Sequence, residues 1–209
     1  MSEIGKRIVG YSSIILGFIW LSLGGGGAIS SLGLFLGCLI GTPFILGKEG
    51  TLQLFKRPKH LFLWAIGMYI VDTIWGLVIG ITLKSVGVIM KGNEVGNNLG
   101  WLFYLLIPFM LMAEEMMSLT LLEDFAKKVP LWAASVISAV IFGLMHFWTY
   151  NSGHFGFTLI HILTIQGVGR IFLNIAYLKG GRSIWTSWLD HMLIDLMATI
   201  IPLILTTLI

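Results

Sequence analysis

Glu114 and Glu115 stand side by side in an apolar run, Met112-Ala113-Glu114-Glu115-Met116-Met117. Adjacent helical residues point about 100° apart, so one carboxylate can face a cavity while the other faces a neighbouring helix. A carboxylate held away from bulk water can serve as a general base, or equally as part of a proton or cation relay. His191 and Asp195 are at i and i+4, on one helix face, where the acid can orient the imidazole and set its tautomer. His146 follows the apolar run Val136 to Met145, one turn beyond Phe142. Asp72, His161, Arg170 and Asn174 complete a set of polar groups in otherwise apolar segments. An ionisable side chain at membrane depth costs about 2.5–3.5 kcal/mol on insertion scales, so each is a functional candidate, and a cluster more so. The chain has no H-E-x-x-H, no G-x-S-x-G elbow and no P-loop.

The elements that must position these groups follow from composition. The 209 residues are 56% hydrophobic and only 11% charged, with mean hydropathy +0.92. So few charges cannot wet the surface of a soluble domain, which typically carries about a quarter charged residues. A disordered chain and a nucleic-acid binder are excluded. One cysteine, Cys38, excludes a disulfide scaffold. Seven apolar segments, at 8–23, 28–47, 61–83, 99–122, 131–149, 155–178 and 184–208, are mostly near the ~20 residues that span a bilayer. The expected fold is therefore an all-α polytopic membrane bundle of seven helices, or eight, in a single membrane domain over 1–209. With the N-terminus in the cytoplasm, ten of the 13 basic residues fall on cytoplasmic positions. These are Lys6, Arg7, Lys48, Lys56, Arg57, Lys59, Lys127, Lys128, Lys179 and Arg182. Gly33, Gly37 and Gly41 form a small-residue stripe suited to close helix packing.

Three motifs in order carry a family resemblance: Glu114-Glu115, then Phe142-x-x-x-His146, then His191-x-x-x-Asp195. Together they resemble the CAAX protease and bacteriocin-processing family, which includes the type II CAAX prenyl endopeptidases and the Abi-like proteins. The context fits as well, with Ala134 to Leu144 preceding His146 and Ser183-Ile184-Trp185 upstream of His191. The resemblance covers about 99–197. It implies an intramembrane glutamic protease that needs no metal and no other cofactor. Glu114 with His146 would activate water, and His191 with Asp195 would hold the oxyanion. Glu115, Phe142 and Arg170 would support them. The implied partners are the bilayer and a membrane-associated or lipidated peptide, in a bacterial cell membrane, with maturation or bacteriocin immunity as the role.

The family pattern has an arginine four residues after the Glu pair, where this chain has Leu119 in Ser118-Leu119-Thr120. Glu115 then needs a cation from elsewhere, and Arg170 in the sixth segment is the expected source. A second reading is a catalytically silent relative that binds a peptide or partner in the same cavity. A proton-coupled carrier is disfavoured because no repeated half is visible. A zinc site from His146, His161 and His191 ranks low, since no spacing demands it. Asp72 is expected to make a helix-packing hydrogen bond. A ruler along the segments raises one conflict: Glu114 and His191 lie about 12 Å from the inner face, whereas His146, about 16 residues along its span, lies near the outer one.

Overall fold

The computed structural model describes residues 1–23, 27–92 and 101–208. Among these, every regular element is helical: α1 (Glu3–Leu23), α2 (Gly33–Leu54, entered through a 3-10 turn at Ser30–Leu32), α3 (Leu61–Ser85), α4 (Trp101–Phe125), α5 (Leu131–Met145), α6 (Phe155–Lys179) and α7 (Ile184–Leu208). Five stretches, in α1, α2, α3, α4 and α6, are long and apolar enough to cross a membrane. α5 has only 15 residues, a rise of about 22 Å against ~30 Å of hydrocarbon. Seven helices thus stand where seven or eight spans were expected, and among the described residues five of them are long and apolar enough to cross, while α5 is short. Of the connections expected at the Gly24–Gly27 run and at Lys84–Asn98, residues 24–26 and 93–98 lie outside the described residues.

α4 is the axis of the bundle. Two thirds of its apolar window is buried, whereas α3, on the periphery, buries 6%. The core is built around Met112, Met116, Leu119 and Leu122 of α4, against Leu34 and Cys38 of α2 and Phe142 of α5. In lipid, apolar packing alone does not drive helices together, so close backbone approach and polar contacts must do so. Thr42 and Thr120 share a hydrogen bond of 2.9 Å between α2 and α4.

The glycine stripe of α2 meets Gly10 and Gly17 of α1. A Cβ on Gly17 would lie 2.5 Å from the Gly33 carbonyl oxygen, and one on Gly37 would lie 2.6 Å from that of Ser13. The same device joins α5 to α6, where a Cβ on Gly143 would lie 2.8 Å from the Ile162 carbonyl oxygen. α6 widens there into a π-helical stretch, Ile162–Gly167. The Thr164 carbonyl in that stretch accepts the Trp75 indole N–H of α3 at 2.7 Å. Wide turns of this kind are often found at functional sites.

One expected boundary coincides with a break and one was wrong. At Gly47, where the second apolar segment was expected to end, the backbone leaves helical geometry at φ 76°, ψ 168°, and a further helical stretch runs on to Leu54. Only a residue without Cβ adopts that backbone conformation readily, so the path kinks there. The segment expected at 131–149 ends as a helix at Met145, with His146 as its C-cap. The His146 ring, 2.8 Å from the Phe142 carbonyl, takes over a helix acceptor. The chain then turns through Asn151 to Gly153, the latter at φ 84°. Because α5 is short, His146 ends within the bundle, which removes the depth conflict.

Ion pairs and hydrogen bonds gather the chain at one end. Arg7 reaches Asp124 at 2.7 Å, Arg182 pairs with Glu123 at 3.0 Å, and the Ser183 hydroxyl donates to the Lys56 carbonyl at 2.6 Å. Contacts at this end thus involve Arg7, Lys56 and Arg182 from the basic set.

Replacing Gly37 with leucine should push α1 off α2 and cost at least about 1–3 kcal/mol, the usual range for overpacking. A Gly76→Leu control, where nothing lies within 4 Å, should leave thermal unfolding in detergent unchanged. Equal melting of the two variants would contradict the seam.

Candidate active site

Glu114 and Glu115 point apart, as their helical spacing requires. Glu115 is wholly buried and takes a forked pair of hydrogen bonds from Arg170 of α6, at 2.5 and 3.1 Å. The Arg170 Nε donates to the Asn174 side-chain oxygen at 3.0 Å, and the Asn174 amide donates to Ser135 Oγ at 3.0 Å. A third donor reaches Glu115 from α7, where His191 Nδ1 lies 3.0 Å from Oε1. Three helices, α4, α6 and α7, therefore meet on one carboxylate, and α5 joins them through Ser135 and Asn174. Burying a charge in this way is tolerable only when it is paired and its remaining lone pairs are satisfied.

Glu114 is partly accessible, at 21%, and faces two imidazoles. Its Oε2 lies 3.8 Å from Nε2 of His146 and 3.8 Å from Nε2 of His191. Both separations exceed hydrogen-bond reach, which leaves the carboxylate beside the rings without a direct bond to either. The tautomers follow from the far sides of the rings. A carbonyl only accepts, so His146 must carry its proton on Nδ1 toward the Phe142 oxygen. A carboxylate also accepts, so His191 donates from Nδ1 to Glu115. Each ring thus turns Nε2 toward Glu114.

Phe142 is the spacer among these groups. Its ring centroid is 4.5 Å from that of His146 and 6.0 Å from that of His191, and the Arg170 guanidinium carbon lies 5.7 Å from its centre. A cation near an aromatic face gains from the ring quadrupole. Asp195, one turn beyond His191, interacts electrostatically with His191, Glu114 and His146. His161 packs its ring on Tyr150 at 5.0 Å. Among the described residues, no group of three or more His, Cys, Asp or Glu is arranged to hold a metal ion. Asp72 of α3 abuts Gly169 of α6, where a Cβ would stand 3.0 Å from Oδ1.

Two features escaped the sequence reading. Asp190, fully buried beside His191, has neither carboxylate oxygen hydrogen-bonded, and Thr186, one turn earlier, has an unpartnered hydroxyl. An acid within the last apolar segment was the available signal. The second is Ser135 as the anchor of Asn174, for which serine on an apolar helix gives no signal.

Residues 96–197 match the family model of the type II CAAX prenyl endopeptidase Rce1-like proteins. This segment is similar to the Rce1-like family. That family is one of membrane proteases, and the matched segment contains α4 to α6, the start of α7 and all the groups described above except Asp72. No curated protein and no solved structure matches the chain. Within the Rce1-like segment, the arginine absent at Leu119 has a counterpart in Arg170, which reaches the same glutamate from α6.

The two glutamates should respond differently to loss of charge. Glu115→Gln leaves Arg170 buried against a neutral amide and should destabilise by about 3–5 kcal/mol. Glu114→Gln breaks no hydrogen bond and should melt within about 1 kcal/mol of the wild type. Thermal unfolding of both variants in one detergent tests this, and comparable losses would contradict the division.

Proposed function

We propose that the chain is an intramembrane endopeptidase that cleaves a membrane-associated or lipidated peptide with water activated by Glu114. The observation that carries this reading is the position of the Glu114 carboxylate, 3.8 Å from Nε2 of both His146 and His191. Similarity of the Rce1-like segment to a membrane protease family supports it. The distribution of basic residues supports an N-terminus in the cytoplasm.

In this mechanism a water bound beside Glu114 loses a proton to the carboxylate as its oxygen attacks the scissile carbonyl. His146, fixed by the Phe142 carbonyl, presents Nε2 to the same water and orients it. The carbonyl oxygen becomes an oxyanion, and His191 stabilises it from the other side. Because His191 already donates Nδ1–H to Glu115, donation from Nε2 requires the imidazolium form. Asp195 offsets that charge. As the tetrahedral adduct collapses, the C–N bond breaks, and the proton taken by Glu114 passes to the leaving nitrogen. Hydrogen bonds to the oxyanion from groups held in place within the bundle are stronger than they would be in bulk water. Glu115 and Arg170 hold His191 and take no part in bond making.

Purified protein should cleave lipidated test peptides, with products read by mass spectrometry. Glu114→Gln should lower the rate at least about a hundredfold, the lower range for loss of a general base, with helical content by circular dichroism unchanged. Cleavage retained in that variant would overturn the assignment of Glu114. Absence of cleavage in the wild type across the peptide set, with peptide binding retained, would favour a silent binding protein.

A further inference from the structure

A cavity with a rim of polar and charged residues lies away from the Glu114 site, at the end of the bundle where basic residues gather. Its volume is about 340 Å³, and Gln53, Lys56, Glu123, Lys127, Tyr177 and Arg182 contribute to its wall. The base is apolar, formed in part by the buried Leu54, while Lys56, Lys127 and Arg182 are exposed at the rim. Glu123 and Tyr177 fall in the last turns of α4 and α6, and Gln53 in that of α2. The cavity therefore opens at the depth of lipid headgroups, where a hydrophobic span gives way to water.

Its charge balance is positive. Glu123, the one acid in the wall, is occupied: it accepts two bonds from Arg182, both at 3.0 Å, and a third from the Tyr177 hydroxyl at 2.8 Å. A guanidinium has five N–H donors, and this pairing uses two of Arg182's. Lys127 reaches only to 3.5 Å from Asp124, a carboxylate already held by Arg7 at 2.7 Å and Tyr11 at 2.8 Å. Lys56 has no ion-pair partner among the described residues. Two lysines and the remaining guanidinium donors thus face a cavity whose acid is already neutralised.

The backbone around the cavity is held in uncommon conformations. Arg182 is a non-glycine residue at φ 58°, preceded by Gly181 at φ 84°. Gly47, at φ 76°, redirects α2 so that the chain beyond it supplies Gly50, Gln53 and Lys56 to the wall. Such conformations cost about 1–3 kcal/mol for a residue with a side chain and often occur at ligand clamps.

We propose that this cavity binds the phosphate of an anionic membrane lipid headgroup. Its volume lies at the lower end for ligand pockets, which suits a headgroup better than a peptide or an acyl chain. Basic pockets between helices at the cytoplasmic end are a known mode of recognition for such groups. The lipid phosphate would meet Lys56 and Lys127, with the unused Arg182 donors beside them, while its acyl chains remain in the bilayer.

The test is native mass spectrometry of the detergent-solubilised chain titrated with phosphatidylglycerol or phosphatidylcholine. Wild type should retain phosphatidylglycerol preferentially. The Lys56→Gln/Lys127→Gln double variant should bind it about thirtyfold more weakly, as expected for loss of two lysines near a lipid surface. Both chains should melt at the same temperature in phosphatidylcholine nanodiscs, which separates loss of the site from loss of the fold. Equal retention of the two lipids by the wild type, or of phosphatidylglycerol by the wild type and the variant, would overturn the proposal. Inorganic phosphate should not displace the lipid; displacement at equal concentration would assign the cavity to a soluble anion instead.

Discussion

The forked ion pair between Arg170 and Glu115 is the constraint on which the rest of the site depends. Both side chains are fully buried, and neither could remain charged there alone without a penalty of several kcal/mol. Their pairing ties α4 to α6. The same carboxylate holds His191 of α7, and Asn174 beside Arg170 reaches Ser135 of α5. A buried ion pair is a weak source of net stability, but it is an exacting source of geometry, because removing either partner strands the other. Here it sets the rotation of α4 that leaves Glu114 turned about 100° from Glu115, toward Nε2 of His146 and of His191.

Packing supplies what the ion pair cannot. The Gly143 contact with the α6 backbone brings α5 close enough for Phe142 to touch His146, His191 and the Arg170 guanidinium together. The early end of α5 then lets His146 cap the helix at the depth of Glu114. A full-length span would have carried that imidazole toward the far face. Shortness of one helix is therefore as much a part of the site as the motif on it.

Much of this was legible in the sequence, for identifiable reasons. Scarcity of charge dictated a helical membrane protein, since backbone polar groups in lipid must be satisfied within the segment. The i, i+4 spacing of Phe142 with His146 and of His191 with Asp195 put each pair on one face, and the three motifs in order led to the family. The end of α5 was not legible, because residues 147–149 continue the apolar run and the capping bond of the His146 ring is a tertiary outcome. The course of α2 beyond Gly47 was hidden in the same way: Lys48 and Glu49 look like a loop, yet lie on a further helical stretch beyond the kink at Gly47. Asp190 was overlooked because its neighbour His191 belonged to a motif and it did not.

The central claim is that Arg170 takes the place of the arginine that the family pattern puts at position 119. Relocating the cation tests it most directly, by comparing thermal unfolding of wild type, Arg170→Leu and the Arg170→Leu/Leu119→Arg double variant. An arginine at 119 would be one turn from Glu115 on the same helix face. The account predicts that the single variant loses about 3–5 kcal/mol and that the second substitution restores a substantial part of it. A single variant as stable as wild type, or a double variant no better than the single, would contradict the claim.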